Sequence, residues 1–401
     1  MRGLVLEGGG AKGAFHIGAV KALYDYGYTF DGVSGTSIGA INGAIIAQEG
    51  GYQTLYNLWS TITPSDFTDF DDMMVAKMQN KEYDKETIIY WMKQSVKILK
   101  NVGVPTDKIV PFLKRYIDEN KLRNSPIDYA LVTYSVSDKK PMELYKEDIP
   151  YGKLHDYIFA SAYYPAFRLN RLNGKFFVDG GVCDNLPLNT LARKGYDELF
   201  AIRTMSRMPH SILADKSVKV VYICPSEDLG GTTELKAKQI NNNIKLGYYD
   251  ALRYIKGYLG NKYYIVDDNF TNCEKILLNL QQDAYDNIKE LLELDMQLDN
   301  QAVVTAIFAY FKSLYLIHTD SRIDSFIYFL ESYAKLYGVE KFKIYTIEEF
   351  YKQVRNKYLS HNIEIKDTKK KHFINQKTKQ QLIFHEIMRL KGEIHEETEL
   401  N

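Results

Sequence analysis

The first half of the chain alternates short apolar runs with stretches of helical period. Leu4–Leu6, Phe30–Val33, Ala130–Val136, Met142–Tyr145, Phe176–Val178, Leu199–Arg203 and Val218–Cys224 read as strands, several of them β-branched and bounded by Gly, Pro, Asn or Asp. Between the first two, Phe15, Ala19, Ala22, Leu23 and Tyr26 recur at helical spacing, predicting a helix over Ala14–Tyr26. Strand, helix, strand in that order implies an α/β fold with a largely parallel central sheet flanked by helices.

From about Asp66 to Asn124 the pattern turns helical and mixed in polarity, which predicts an insertion over the sheet, a helical insertion or lid at about 62–125. After Pro225 the strand signal fades. Helices are expected at Ile244–Tyr258, Asp286–Leu298, Val303–Ile317, Ile323–Tyr337, Ile347–Leu359 and Lys379–Leu390. Ile323, Phe326, Ile327, Leu330, Tyr333, Ala334 and Tyr337 share one face. The expected organisation is a domain over 1–258 and a mostly helical C-terminal region over 259–401. Lys366–Lys379 is locally basic, read as a solvated linker with an anionic-lipid patch as the sharper alternative.

Composition narrows the classes. Over 401 residues, Lys+Arg 51 balances Asp+Glu 51, so the chain lacks the net basic surface that holds nucleic acid, and no nucleic-acid partner is expected. Cys183, Cys224 and Cys273 are too few and too scattered for a disulfide framework or a zinc site. The longest apolar run, Val303–Ile317, spans about 15 residues and carries Lys312, against about 20 for a membrane span. Leu4–Leu6 is too short for a signal-peptide core. A cytoplasmic protein with at most peripheral membrane contact is expected. Tyr 32 stands out against Phe 19 and Trp 2; the helical spacing of Tyr333 and Tyr337 assigns most tyrosines to the interior, with an interfacial role as the alternative.

The chemistry gathers in three glycine-bearing motifs. Gly8-Gly9-Gly10-Ala11-Lys12-Gly13 lies between a strand and a helix, where backbone N–H groups and the helix N-terminus converge on an anion. A nucleotide P-loop is excluded, because the lysine precedes the last glycine and no Ser or Thr follows in register. A dinucleotide fingerprint fits Gly8, Gly10 and Gly13, with Asp31 as the acidic residue, but Asp31 falls at the start of the second strand and not at its end. An oxyanion hole is the third reading.

Gly35-Thr36-Ser37-Ile38-Gly39 follows the next strand and enters a helix over Ala40–Gln48, the G-x-S-x-G nucleophile elbow. If its strand neighbours the first, Ser37 meets the glycine loop at one sheet edge. The base is open among residues. His210, in a polar loop after Pro209, leads the downstream histidines, which also include His155, His318, His361, His372, His385 and His395. His16 is assigned to a packed or solvated helix position. Asp179-Gly180-Gly181 after Lys175–Val178 offers a carboxylate instead, with Asn185-Leu186-Pro187 as a helix cap completing a third strand–loop–helix unit at the same edge.

Together with Ala160-Ser161-Ala162-Tyr163-Tyr164-Pro165-Ala166-Phe167, these segments resemble the patatin-like phospholipase family over roughly residues 1–210. The resemblance implies the patatin-type three-layer fold and a serine–aspartate dyad without histidine. It makes Ser37 the nucleophile, Asp179 the base and the N–H groups of Gly8, Gly9 and Gly10 the oxyanion hole, supported by Lys12, Gly13, Gly35, Gly39, Gly180 and Gly181. It implies a lipid or phospholipid substrate, cleaved as by a phospholipase A or lysophospholipase, with no cofactor and no metal. A catalytically silent lipid-binding module, a Ser-His-Asp esterase and a dinucleotide-dependent oxidoreductase are the alternatives. Nothing in the sequence fixes an oligomeric state.

Overall fold

The computed structural model describes residues 1–49, 51–168, 170–267, 270–315, 321–361 and 375–389. The chain divides into two compact units, Met1–Lys256 and Gly257–Asn401. The first unit begins β1 (Arg2–Leu6), α1 (Ala14–Asp25), β2 (Gly32–Thr36), α2 (Ile38–Glu49) and α3 (Tyr52–Thr61). There follow α4 (Asp72–Gln79), α5 (Lys85–Asn101), α6 (Ile109–Tyr116) and α7 (Glu119–Asn124). It closes with β3 (Asp128–Ser135), β4 (Lys140–Tyr145), α8 (Leu154–Ser161), β5 (Phe177–Asp179), α9 (Leu188–Ala192), β6 (Glu198–Ile202), β7 (Lys219–Ile223) and α10 (Ala237–Lys256).

All seven expected strands form one sheet, in the order β4-β3-β2-β1-β6-β7 with β5 attached to β3. The four pairings β3–β2, β2–β1, β1–β6 and β6–β7 are parallel, and β4 and β5 run antiparallel to β3. The run Leu4–Leu6 is wholly buried, as a parallel strand covered on both faces must be.

Alternation along β2 shows the two covering layers. Ser34 Oγ donates to the Pro187 carbonyl and Thr36 Oγ1 to that of Asp184, so the segment before α9 lies on their face. Val33 and Gly35 point the other way, onto Gly43 and Gly39 of α2. The first unit is therefore a three-layer α/β fold. β2 begins and ends later than its apolar run, Phe30–Val33, suggests. Its last residues are small and polar, yet Ser34, Gly35 and Thr36 pair with Ala130, Leu131 and Val132 of β3.

A second correction concerns the third motif. β5 is not another parallel strand; it enters from beyond the sheet edge, antiparallel to β3, with Asp179 opposite Thr133. Nor does Asn185 cap a helix: α9 starts at Leu188, after Pro187, and the Asn185 amide reaches the Gly8 carbonyl at 3.3 Å.

The second unit is helical around one apolar core: β8 (Tyr264–Ile265), α11 (Phe270–Leu278), α12 (Gln282–Leu292), α13 (Asn300–Tyr315), α14 (Arg322–Ala334), β9 (Ile344–Tyr345), α15 (Ile347–Ser360) and α16 (Gln376–Met388). The expected face of α14 is buried at Phe326, Ile327, Leu330, Tyr333 and Ala334. The short parallel pair β8–β9 carries no sequence signal of its own. The helix expected over Asp286–Leu298 lies one turn earlier, and most of the basic stretch Lys366–Lys379 falls outside the described residues. Among the described residues no helix is long and apolar enough to cross a membrane.

In the first unit α1 crosses α10 with backbones in near contact. A Cβ on Gly18 would lie 1.8 Å from the Ile244 carbonyl oxygen, and one on Gly247 would lie 2.1 Å from that of Phe15. Backbone atoms cannot yield as a flexible side chain can. Gly18→Val is therefore expected to destabilise the protein by at least about 2 kcal/mol through overpacking, read as a fall of several degrees in the thermal midpoint.

Candidate active site

Ser37 sits between β2 and α2 with φ 57°, a left-handed conformation uncommon for a non-glycine residue. The turn is this sharp because α2 springs back directly over β2. A Cβ on Gly35 would meet Gly39 backbone at 2.3 Å, and one on Gly39 would meet the Leu6 carbonyl oxygen at 2.2 Å. Both flanking glycines of the elbow are thus fixed by close approach. The Ser37 N–H donates to Ser161 Oγ at 3.0 Å, and Ser161 Oγ donates to the Val132 carbonyl at 2.6 Å, tying the turn to β3.

Asp179 arrives from the opposite direction. Its Oδ2 accepts the Ser37 hydroxyl at 2.6 Å and its Oδ1 accepts the Gly181 N–H at 2.8 Å. Gly180 lies against the Val132 carbonyl, where a Cβ would come within 2.1 Å. The carboxyl is buried, and burial pushes its pKa up to about 6, partly offset by the bonds from Ser37 and Gly181. No described histidine lines the cavity around Ser37. His155 Nε2 is bound to the Ile117 carbonyl at 2.8 Å, and His210 lines a separate pocket with Arg203 and Leu213. His16 is wholly buried and bonded to Asn42, with burial pushing it down to about 3.

The glycine loop needs one correction. The Gly8 N–H donates to the Asn185 carbonyl at 3.0 Å and is not available to an oxyanion. The Ala11 N–H is likewise taken, by the Thr232 carbonyl at 2.7 Å. The N–H groups of Gly9 and Gly10 have no partner among the described residues, and both residues line the cavity with Ser37 and Asp179. Lys12 lines it too and has no ion-pair partner among the described residues. The Gly13 carbonyl accepts from Asn42 Nδ2 at 3.1 Å, and Trp59 Nε1 donates to Asn42 Oδ1, fixing the start of α1 against α2. Asp31 is placed at the other end of β2, where it accepts the Arg2 N–H at 2.8 Å; a ribose-binding acid for a dinucleotide on this loop is excluded by distance along the strand.

Sequence reasoning assigned no role to Glu7. It is wholly buried at the end of β1, and it binds Arg203 Nε at 2.9 Å and the N–H groups of Thr204 and Met205 at 2.7 and 3.1 Å. Thr204 Oγ1 in turn donates to the Gly8 carbonyl at 2.5 Å. One carboxylate thereby locks the loop after β6 against the glycine loop. The readable signal is an acidic residue in an otherwise apolar strand end, where a charge must be paired.

The cavity measures about 1550 Å³, beyond the usual range of about 300–1000 Å³ for small-ligand sites. Its walls are mostly apolar and include Phe67, Phe70, Trp91 and Phe112 of the segment between α3 and α7.

Residues 4–192 match the model of the patatin-like phospholipase family. Over 200 residues the chain is 26% identical to Lysophospholipase NTE1 of Yarrowia lipolytica, covering 50% of this chain and 12% of that protein. It is 26% identical over 212 residues to Patatin-like phospholipase domain-containing protein 6 of Homo sapiens, covering 50% and 13%. The structure of VipD from Legionella pneumophila aligns with 96% of this chain and 84% of its own at 14% identity, with a TM-score of 0.38.

Replacing Glu7 by Leu removes the four hydrogen bonds its carboxylate accepts from Arg203 and the Thr204 and Met205 N–H groups, and leaves the Arg203 guanidinium without its partner. The expected loss is about 3 kcal/mol of unfolding free energy, measured by urea denaturation, with a lower midpoint and unchanged slope.

Proposed function

Since residues 4–192 form a patatin-like phospholipase domain, we propose that this chain is a lipid acyl hydrolase of the phospholipase A or lysophospholipase type, working through Ser37 and Asp179. The observation that carries the reading is the 2.6 Å contact between the Ser37 hydroxyl and a buried carboxylate, beside two unpartnered glycine N–H groups in a large apolar cavity. The names of the relatives support the substrate class.

Asp179 Oδ2 takes the hydroxyl proton as Ser37 Oγ attacks an ester carbonyl carbon. The carbonyl oxygen becomes an oxyanion held by the N–H groups of Gly9 and Gly10. Collapse breaks the ester C–O bond, the proton passes from Asp179 to the leaving alcohol, and an acyl-serine remains. Water then loses a proton to Asp179, attacks the acyl carbon and releases the fatty acid, and the proton returns to Ser37. Desolvation makes Asp179 a stronger base than an ordinary carboxylate, and with a pKa of about 6 it is still ionised by about ten to one at neutral pH. No step calls for a histidine, a metal or a cofactor.

Mass-spectrometric analysis of fatty-acid release from phospholipids, lysophospholipids and neutral lipids tests the reading. Ser37→Ala is expected to fall to background and Asp179→Asn to lose at least about 10³-fold, each with an unchanged thermal midpoint. No release by the wild-type protein from any of these lipids, under conditions where it binds them, would return the silent lipid-binding module. The pH profile follows from the direction of the shift. Below about pH 6 Asp179 is protonated and cannot accept a proton, so kcat/KM on a short-chain ester falls about tenfold per unit there and is flat above.

A further inference from the structure

We propose that the outward face of α5 is the surface by which this protein seats on an anionic lipid bilayer, next to the cavity that holds Ser37. The inference rests on the acyl-hydrolase reading for its choice of occupant. α5 spans Lys85–Asn101 and is amphipathic in an inverted sense. Ile88, Ile89, Met92, Val96 and Leu99 all face solvent, with Met92 65% and Leu99 78% exposed. At 3.6 residues per turn these five lie within an arc of about 100°, a single stripe along the helix. Scattered exposed apolar residues are ordinary, but a continuous stripe along a helix is not.

Three observations name the occupant. The first is continuity with the cavity. Trp91 on the same helix lines the cavity wall and donates from its Nε1 to the Met74 carbonyl at 3.3 Å. One helix therefore has an aromatic side chain on the lipid-sized cavity and an apolar stripe in solvent.

The second is charge. Lys93 and Lys100 border the stripe on one flank and Lys85 lies in its first turn; all three are exposed and none is in an ion pair among the described residues. Lys97, further round the helix, is held by Asp69 at 3.2 Å. An apolar stripe edged by uncommitted lysines suits the boundary between acyl chains and anionic headgroups. The formal net charge of zero leaves such local surface as the means of attraction.

The third is the end of the helix. Val102 closes α5 in a left-handed conformation, φ 53°, and is 80% exposed. A β-branched residue in that conformation is strained, and here the strain turns an apolar side chain outward.

The test is sedimentation with vesicles of phosphatidylcholine containing phosphatidylserine, using the full chain carrying Ser37→Ala so that the vesicles stay intact. The Ser37→Ala protein is expected to bind, more weakly as salt rises. Met92→Ser combined with Leu99→Ser in that background is expected to weaken binding at least tenfold. Lys93→Gln with Lys100→Gln is expected to weaken it several-fold and to flatten the salt dependence.

In the background that retains Ser37, both pairs are expected to hydrolyse a water-soluble short-chain ester at the wild-type rate while losing activity on the vesicles. Vesicle binding unchanged by either pair, or absent from the start, overturns the proposal. So does a concentration-dependent dimer, seen by light scattering, that the Met92 and Leu99 changes abolish while vesicle binding persists. Failure of the hydrolase reading looks different: no ester hydrolysis by the wild-type protein, with vesicle binding still dependent on α5.

Discussion

The site depends on the length of β3. β2 stops at Thr36, opposite Val132, but β3 continues through Ser135. β4 occupies one edge of those extra residues, so only the edge in line with β2 is left, and β5 takes it in the opposite direction. Two strands running toward each other along one partner must meet end to end. Ser37 follows the last residue of one and Asp179 ends the other, which puts hydroxyl and carboxylate 2.6 Å apart without any long side chain to position them. The Val132 carbonyl, at the junction, accepts Ser161 and crowds Gly180, so the same point of β3 holds both halves of the pair.

That head-on arrangement marks where sequence reading stops. The seven strands, the elbow and the adjacency of β1 and β2 were legible because each rests on local patterns: apolar runs, glycines at fixed offsets, helical period. The direction of β5 was not, because a three-residue strand has no periodicity and its orientation is set by which edge of β3 is vacant. The engagement of the Gly8 N–H by the Asn185 carbonyl was hidden for a related reason. Asn185 followed by Leu186 and Pro187 carries the local signature of a helix start, and tertiary pairing across the sheet edge overrides it. Glu7, just before the first motif, carried no local signal of a role, since only the fold shows that Arg203 reaches it from the loop after β6.

The abundance of tyrosine also has a local cause. Tyr129, Tyr196, Tyr285 and Tyr345 are fully buried, and each hydroxyl is hydrogen-bonded: Tyr129 to the Ala40 carbonyl, Tyr196 to Asp128, Tyr285 to the Leu277 carbonyl and Tyr345 to that of Glu340. Three of the four reach backbone carbonyls. Phenylalanine would fill the same space but leave those acceptors unmet. Such tyrosines belong to the interior of both units, as their helical spacing suggested in α14. Other tyrosines of the first unit, Tyr83 and Tyr151 among them, are exposed, but none of them lies on α5, whose solvent-facing apolar residues are Ile88, Ile89, Met92, Val96 and Leu99.

A desolvated carboxylate base and a hydrolytic second step make opposing demands. Burial raises the Asp179 pKa toward neutrality, yet the proposed deacylation would consume a water molecule at the same carboxylate. A wide apolar cavity reconciles them if the acyl chain is what fills it. A chain along the apolar walls would displace bulk water there, while Gly9, Gly10, Ser37 and Asp179 form a polar corner of the same cavity. A short ester fills little of about 1550 Å³ and on this mechanism leaves Asp179 near its pKa of about 6, whereas an acyl chain along the walls would desolvate it further. On the proposed mechanism chain length would then enter the rate through the state of the base as well as through binding, by way of the aromatic wall supplied by the segment between α3 and α7.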